Sequence, residues 1–427
     1  MTARKASTPG PVAKGDRHLW GIYILLVFIG IIEMYSASSR LVRTENVYNP
    51  VIFNGAIIFA GLVIIWFLQR THYKKIIKWA PGFAVASVAL MLLTLVVGDN
   101  INSATRSINL IVFTLQPSEF LKLSAAIMVA YFTAKNQKEG GGVENRGIVQ
   151  SALLIMFYGM MLAPQGLTNT LLLMSISLSM MLIGGIEIKK IAIVVGVYVL
   201  CFLAYLGVTH MSSSHADSSS ATATEVVEES GNRTGVWADR LATYFGNGRP
   251  KYEQPVTSDN MQEMVGYMAQ ANGGLIGVGP GNSRETARLS LAHTDYIYAI
   301  IVEELGFVGG MVVLVLYLWL LGRASAIAGR CKRAFPSLLV IGMALTIVYQ
   351  ALFHICIVTG VYPVSGQPLP LISKGGTSVI ITSIAFGIML SVSRFAVTGK
   401  GSKTDMKNEV AALPSDMAAE NPSQLNF

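Results

Sequence analysis

The sequence predicts an all-α integral membrane protein with about ten transmembrane helices and a long extracytoplasmic loop between spans seven and eight. Three observations predict it. The chain is 52% hydrophobic and only 13% charged, where a soluble chain of this length carries roughly 25% charged residues. Apolar runs close to the ~20 residues that cross a bilayer recur along it. Basic residues collect in alternate connections between those runs.

The elements follow in order. Residues 1–18 are polar and basic, with Pro9 and Pro11, and read as a disordered cytoplasmic tail. The first apolar run, Leu19 to Ala37, is long enough to span and too long for a signal-peptide core. Further spans are expected near 50–68, 80–97, 118–134, 149–164, 168–186, 190–209, 296–321, 335–358 and 376–394, of which 149–164 is short. Each must be a helix, because a lone strand in lipid leaves its backbone unpaired. The membrane domain therefore covers 19–396, and a polar tail, 397–427, is expected to be cytoplasmic and disordered.

With the N-terminus in the cytoplasm, Arg70, Lys74, Lys75, Lys78, Lys135, Lys138, Arg146, Lys189, Lys190, Arg323, Arg330, Lys332 and Arg333 fall on the cytoplasmic side, as do both tails. The short outer loops keep only Arg40, Arg43, Arg106 and Lys374. This asymmetry supports an even number of spans. It also gives the formal charge of +8 a topological role, so no nucleic-acid partner is expected. The outer loop, 210–295, opens Ser/Ala/Thr-rich from His210 to Thr224 and then turns acidic at Glu225, Glu228 and Glu229. Its second half carries Trp237, Arg240, Tyr244, Phe245 and a glycine run; so long a connection is functional, disordered or both. The three cysteines (Cys201, Cys331, Cys356) are far apart and read as small buried apolar residues, with no metal cluster or disulfide framework.

Three segments carry chemistry. The first runs Gly273-Gly274-Leu275-Ile276-Gly277-Val278-Gly279-Pro280-Gly281-Asn282-Ser283, then His293-Thr294-Asp295-Tyr296-Ile297-Tyr298 and Glu303-Glu304-Leu305-Gly306. Its glycines allow tight turns and close backbone approach to a ligand. Asp295 lies where a polar loop enters span eight, a position suited either to catalysis beside a water-filled cavity or to helix capping. Glu303 and Glu304 point in different directions, so at most one faces a given cavity. The second segment, Gln116-Pro117-Ser118-Glu119-Phe120-Leu121-Lys122, starts a helix at proline and puts Glu119 and Lys122 on one face, as an ion pair or a cavity wall. Upstream, Arg106 is an outward cation that suits a phosphate or an interfacial anchor. The third, 363–378, holds three prolines and three glycines and ends at Ser373-Lys374-Gly375-Gly376 before span ten, where free N–H groups can bind an anion. Glu33 and His354 read as satisfied polar residues inside the bundle, and Asn232-Arg233-Thr234 is too short a glycosylation pattern to carry weight.

Together these segments resemble the SEDS family (shape, elongation, division, sporulation) over residues 15–396. The family's Gly-rich run, His-Thr-Asp and Glu-Glu-Leu-Gly fall on 273–283, 293–298 and 303–306, its Gln-Pro-Ser-Glu-x-x-Lys on 116–122, and its Pro-x-x-Gly-x-x-Leu-Pro-x-x-Ser-x-Gly-Gly on 363–376. The start, 15–20 with 35–38, looks like the cell-division branch; the elongation branch is next closest. The resemblance implies a peptidoglycan glycosyltransferase that polymerises lipid II at the outer face of the bacterial plasma membrane, during septal synthesis, releasing undecaprenyl pyrophosphate. It implies multi-pass insertion with both termini cytoplasmic, and partnership with a class B penicillin-binding protein transpeptidase and other divisome membrane proteins. Asp295 is the catalytic residue it implies, with Arg106, Glu119, Lys122, Arg240, His293, Ser373, Lys374 and Gly375 toward substrate and a divalent cation, Mg²⁺ or Mn²⁺, as cofactor. A lipid flippase, a recruiting scaffold and an elongation polymerase are the alternatives. The chain departs from the family at Ser103-Ala104-Thr105-Arg106-Ser107, which lacks the usual Trp, at Ala163-Pro164-Gln165-Gly166-Leu167-Thr168, which lacks an Asp, and at Lys374 and Leu289-Ser290-Leu291-Ala292.

Overall fold

The structure is a computed structural model that describes residues 15–41, 48–97, 99–101, 104–109, 114–138, 142–216, 256–257, 260–289, 294–396 and 419–421. Its helices are α1 (Arg17–Leu41), α2 (Tyr48–Arg70), α3 (Lys74–Val97), α4 (Pro117–Lys135), α5 (Asn145–Leu162), α6 (Leu167–Ile183), α7 (Ile188–Ala216), α8 (Met261–Gly273), α9 (Ile297–Ala328), α10 (Ala334–Val358) and α11 (Gly376–Phe395). Each of the expected spans falls on one of them. Seven (α1, α2, α3, α5, α9, α10 and α11) are long and apolar enough to cross a membrane, so this is a multi-pass membrane protein. Helix α6 is apolar but shorter, and α4 carries Glu119, Lys122 and Lys135. Helix α8 lies in the segment expected to form the outer loop.

The burial pattern reverses that of a soluble protein. Helices α4, α10 and α11 form the centre, and large apolar side chains such as Phe28, Phe59, Phe67, Ile193, Leu200 and Trp319 face outward around them. Lipid tails offer no hydrophobic drive between helices, so contact rests on small residues and buried hydrogen bonds. The α2–α11 contact shows this. A Cβ on Gly61 would lie 2.5 Å from Ser383 Oγ, and one on Gly387 would lie 2.8 Å from Leu68 Cβ. Ser383 Oγ also pairs with Tyr23 Oη of α1 at 3.1 Å. At the end of the bundle where α1 begins, Asp16 accepts from the backbone N–H of His18 and Leu19, capping α1, and pairs with Arg323 of α9. Burial pushes the Asp16 carboxyl up, but the Arg323 and backbone bonds outweigh it and hold it below the usual range.

Two features were not expected from sequence. Between α3 and α4 a small antiparallel sheet forms from β1 (Asp99–Ile101), β2 (Ala104–Asn109) and β3 (Thr114–Leu115), in the order β1-β2-β3. Within the stretch expected to be a disordered tail, Ala419–Asn421 docks on the α9–α10 turn. There Asn421, fully buried, donates through Nδ2 to Ala328 O at 2.9 Å and Cys331 O at 2.7 Å, while its N–H reaches Lys332 O at 3.0 Å. The cysteines also differ from expectation: Cys331 is buried, Cys356 partly so, and Cys201 is exposed on the outer face of α7, where lipid contact satisfies a thiol as well as a core does.

Candidate functional site

A cleft of about 800 Å³, including its open mouth, lies where helices α4 and α6 begin. Gln116, Ser118 and Glu119 enter it from the start of α4, Gln165 to Asn169 from the start of α6, and Tyr362 to Pro368 from the irregular segment between α10 and α11. Proline at 117 fits the first turn of α4, where the missing N–H costs nothing. Gly166, at φ 153°, turns the chain sharply into α6. Both helices thus present their N-terminal ends to one space, which favours an anionic ligand.

The segment 362–373 is irregular and is held from behind by polar side chains of α10. His354 Nδ1 pairs with Gln367 O at 2.6 Å, and Gln350 Nε2 donates to Pro368 O at 3.3 Å. Across the cleft Gln367 Nε2 donates to Asn169 Oδ1 at 3.2 Å. Backbone polar groups at membrane depth are tolerated where protein satisfies them in this way. Of the two residues expected to be satisfied within the bundle, His354 is bonded through Nδ1 but not Nε2, and Glu33 finds no hydrogen-bond partner among the described residues.

Asp295 stands half-buried two residues before α9, with its carboxylate against the segment: Oδ2 lies 3.0 Å from where a Cβ on Gly366 would be. Ser373 fixes that approach. Its buried hydroxyl donates to Thr294 O at 2.8 Å and accepts from Leu369 N at 2.7 Å, tying the segment to the residue before Asp295. Ser373 is therefore spent on positioning. Glu119 and Lys122 pair at 2.7 Å, both buried. Glu119 reaches the cleft wall, whereas Lys122 sits behind it and also donates to Gln350 Oε1 at 3.4 Å.

The remaining expected residues separate. Lys374 is exposed, and Gly375 is the N-cap of α11; neither lines the cleft. Arg106 lies on β2, and Arg240 and His293 lie outside the described residues. Within the glycine run, Gly273 and Gly277 pack on protein. A Cβ on Gly273 would fall 1.9 Å from Val302 O, and one on Gly277 would fall 2.2 Å from Glu304 O. The loop packs backbone to backbone against α9, which breaks at Gly306 (φ 73°, ψ −178°). Glu303 accepts from Ser283 Oγ at 2.5 Å and Arg284 N at 2.9 Å, while Glu304 accepts from Gly281 N at 3.1 Å and from Ser36 Oγ. Both glutamates are thus used in holding the loop. Sequence reasoning missed Gln350 and Asn169, and named Gln367 only as part of the segment 363–378. A glutamine inside the apolar run 335–358 was the signal that could have found the first.

Among the described residues no three His, Cys, Asp or Glu side chains gather to hold a metal. A lone carboxylate such as Asp295 still suits Mg²⁺, which takes one or two protein carboxylates and fills its shell with phosphate oxygens and water.

Comparisons with known proteins agree with this architecture. The protein from Trichlorobacter lovleyi called probable peptidoglycan glycosyltransferase FtsW is 29% identical over 92% of this chain and 98% of its own length. Stage V sporulation protein E of Bacillus subtilis is 30% identical over 93% of this chain and 100% of its own. The crystal structure of Rod shape determining protein RodA from Thermus thermophilus superposes with a TM-score of 0.61 at 22% identity, over 90% of this chain and 98% of that one. A chain from a structure on the coordination of polymerization and crosslinking by a peptidoglycan synthase complex gives 0.64 at 22%, covering 90% and 99%. Residues 16–398 match the FtsW/RodA/SpoVE family, described as cell cycle protein, and that span takes in every helix that builds the cleft: the chain belongs to this family.

Proposed function

We propose that this chain is a peptidoglycan glycosyltransferase that polymerises lipid II, with Asp295 as its base. The observation that carries the reading is the carboxylate of Asp295 held against Gly366, itself a lining residue of a polar cleft where two helices begin. The names of the relatives point the same way. Ten spans with both termini cytoplasmic would open the cleft toward the outer face of the inner membrane, at the division septum.

In this reading the 4-hydroxyl of one lipid-linked sugar attacks the anomeric carbon of another. Asp295 takes the hydroxyl proton, the new glycosidic bond forms with inversion, and undecaprenyl pyrophosphate leaves with the electron pair of the broken bond. A base must lie within about 2.6–3.2 Å of that hydroxyl, or one water away. The N-terminal ends of α4 and α6 favour the pyrophosphate, and a divalent cation, when bound, would add charge to the same group. Glu119 keeps its place on the wall because Lys122 neutralises it from behind. A class B penicillin-binding protein and other divisome membrane proteins are the partners proposed, with lipid II drawn from the surrounding lipid.

The test is polymerisation of labelled lipid II by the purified chain with its transpeptidase. Wild type should form strands and Asp295→Asn should bind substrate yet form none. Strands from the variant would remove Asp295 from its role; transbilayer movement of lipid II without strands would replace the transferase by a flippase.

A further inference from the structure

Glu33, in α1, is fully buried, and both of its carboxylate oxygens lack a hydrogen-bond partner among the described residues. Across from it Glu303 and Glu304 are also buried, and none of the three forms an ion pair among the described residues. Glu303 and Glu304 are at least hydrogen-bonded. Glu33 is not, and a bare carboxylate in such an interior carries a large desolvation cost. A proton, or a cation from outside the described side chains, would neutralise it.

The surroundings define what that is. Gly30, Glu33 and Ser36 are spaced three apart and form one stripe of α1. Ser36 Oγ donates to Glu304 Oε1, and Gly281 N–H reaches both Ser36 Oγ, at 3.0 Å, and Glu304 Oε2, at 3.1 Å. Glu33 thus lies one helical turn from the Ser36–Glu304 pair. At the other end of the stripe a Cβ on Gly30 would lie 2.6 Å from Leu371 O, and Leu371 adopts a left-handed φ of 66° that few side chains accept. Helical side chains lean toward the N-terminus, so Glu33 covers the turn that faces this carbonyl. Apart from the Gly281 N–H, the polar atoms named here are oxygen: carboxylate, hydroxyl and backbone carbonyl. Glu304 lies two residues before the break of α9 at Gly306, and oxygen donors beside broken helices coordinate Na⁺ in some membrane transporters.

We propose that Glu33, Ser36 and Glu304 form a binding site for one small monovalent cation of the sodium class, where α1 meets the broken turn of α9. A single charge is the right size: Glu304 already has two donors, which leaves one carboxylate uncompensated. The bound ion would hold α1 to the Glu304 end of the glycine loop.

The experiment is thermal unfolding of the full-length protein in detergent, titrated with NaCl, LiCl or KCl against choline chloride at constant ionic strength, alongside ²²Na⁺ equilibrium binding. Wild type should gain a few °C, saturably, at a hundred-fold excess over Kd, and should bind about one ion per chain. Glu33→Gln, which removes the charge and keeps the shape, should lose both responses. A wild type indifferent to every alkali cation, binding no ²²Na⁺, would overturn the proposal and leave Glu33 as a buried protonated acid. An equal response in Glu33→Gln would overturn it too, by placing the ion elsewhere. Should Glu33→Gln fail to fold, the wild-type binding measurement decides alone.

Discussion

Two irregular segments, 273–284 with five glycines and 363–375 with three prolines and two glycines, do opposite work. The glycine loop is covered on its inner side by backbone. Val278 and Gly279 N–H donate to Glu303 O and Glu304 O at 3.0 and 2.9 Å, and Phe307 N–H returns to Gly274 O at 2.9 Å. The proline segment is held mostly by side chains, from α10, from Tyr317 of α9 and from Asn169 across the cleft, and its residues 362–368 line the cleft. Glycine in the first is a packing requirement; glycine in the second leaves room for a carboxylate. What a flexible composition becomes depends on which of its faces the fold leaves open.

Alanine scanning should separate the two, most sharply at Gly273. Its Cβ would fall 1.9 Å from Val302 O, a backbone atom, so Gly273→Ala should cost about 5 kcal/mol and yield little folded protein, as judged by size-exclusion recovery. Next comes the support behind the cleft. Lys122→Met strands Glu119 uncompensated and should cost roughly 3–5 kcal/mol; adding Glu119→Leu should restore most of it, and a double mutant no more stable than Lys122→Met would show that the pair is not what matters. Smaller again, Gly366→Ala should leave the melting temperature within about 2 °C while lowering polymerisation about tenfold, because its methyl would meet Asp295 at 3.0 Å. A stability loss as large as that of Gly273→Ala would erase the distinction.

The smallest effect lies far from either segment. Burial, and then the charge of Lys74, push the His72 imidazole down to about 4 from 6.5. Between those values the unfolded chain binds a proton that the folded chain refuses, so this contribution to stability is intact above pH ~6.5 and is lost as pH falls toward 4. His72 stacks on Phe395 with ring centroids 4.7 Å apart, so His72→Phe should keep the packing and flatten the acid limb of the melting-temperature profile.

The sequence was legible wherever the physics is local. The expected spans met helices because apolar length decides a crossing. The Glu119–Lys122 pair followed from a three-residue spacing. The hairpin 99–109 was invisible because so short a polar strand has no periodicity to read. The docking of Asn421 and the use of the glycine loop depend on partners far along the chain: Ala328 for one, Val302 and Glu304 for the other. No window of sequence contains them. Glu33 was misread for the same reason, since its burial was plain and its missing partner was not.

The break at Gly306 makes α9 two rods. The upper rod follows Asp295 directly; the lower one carries Arg323 and is clamped to the head of α1 through Asp16. Phe307 and Val308 N–H, which the break frees, bond instead to Gly274 O and Leu275 O, at 2.9 and 3.2 Å. The joint is splinted rather than loose. A load applied at the Arg323 end would therefore pass into the glycine loop before it reached the carboxylate, and loop and upper rod would turn as one piece.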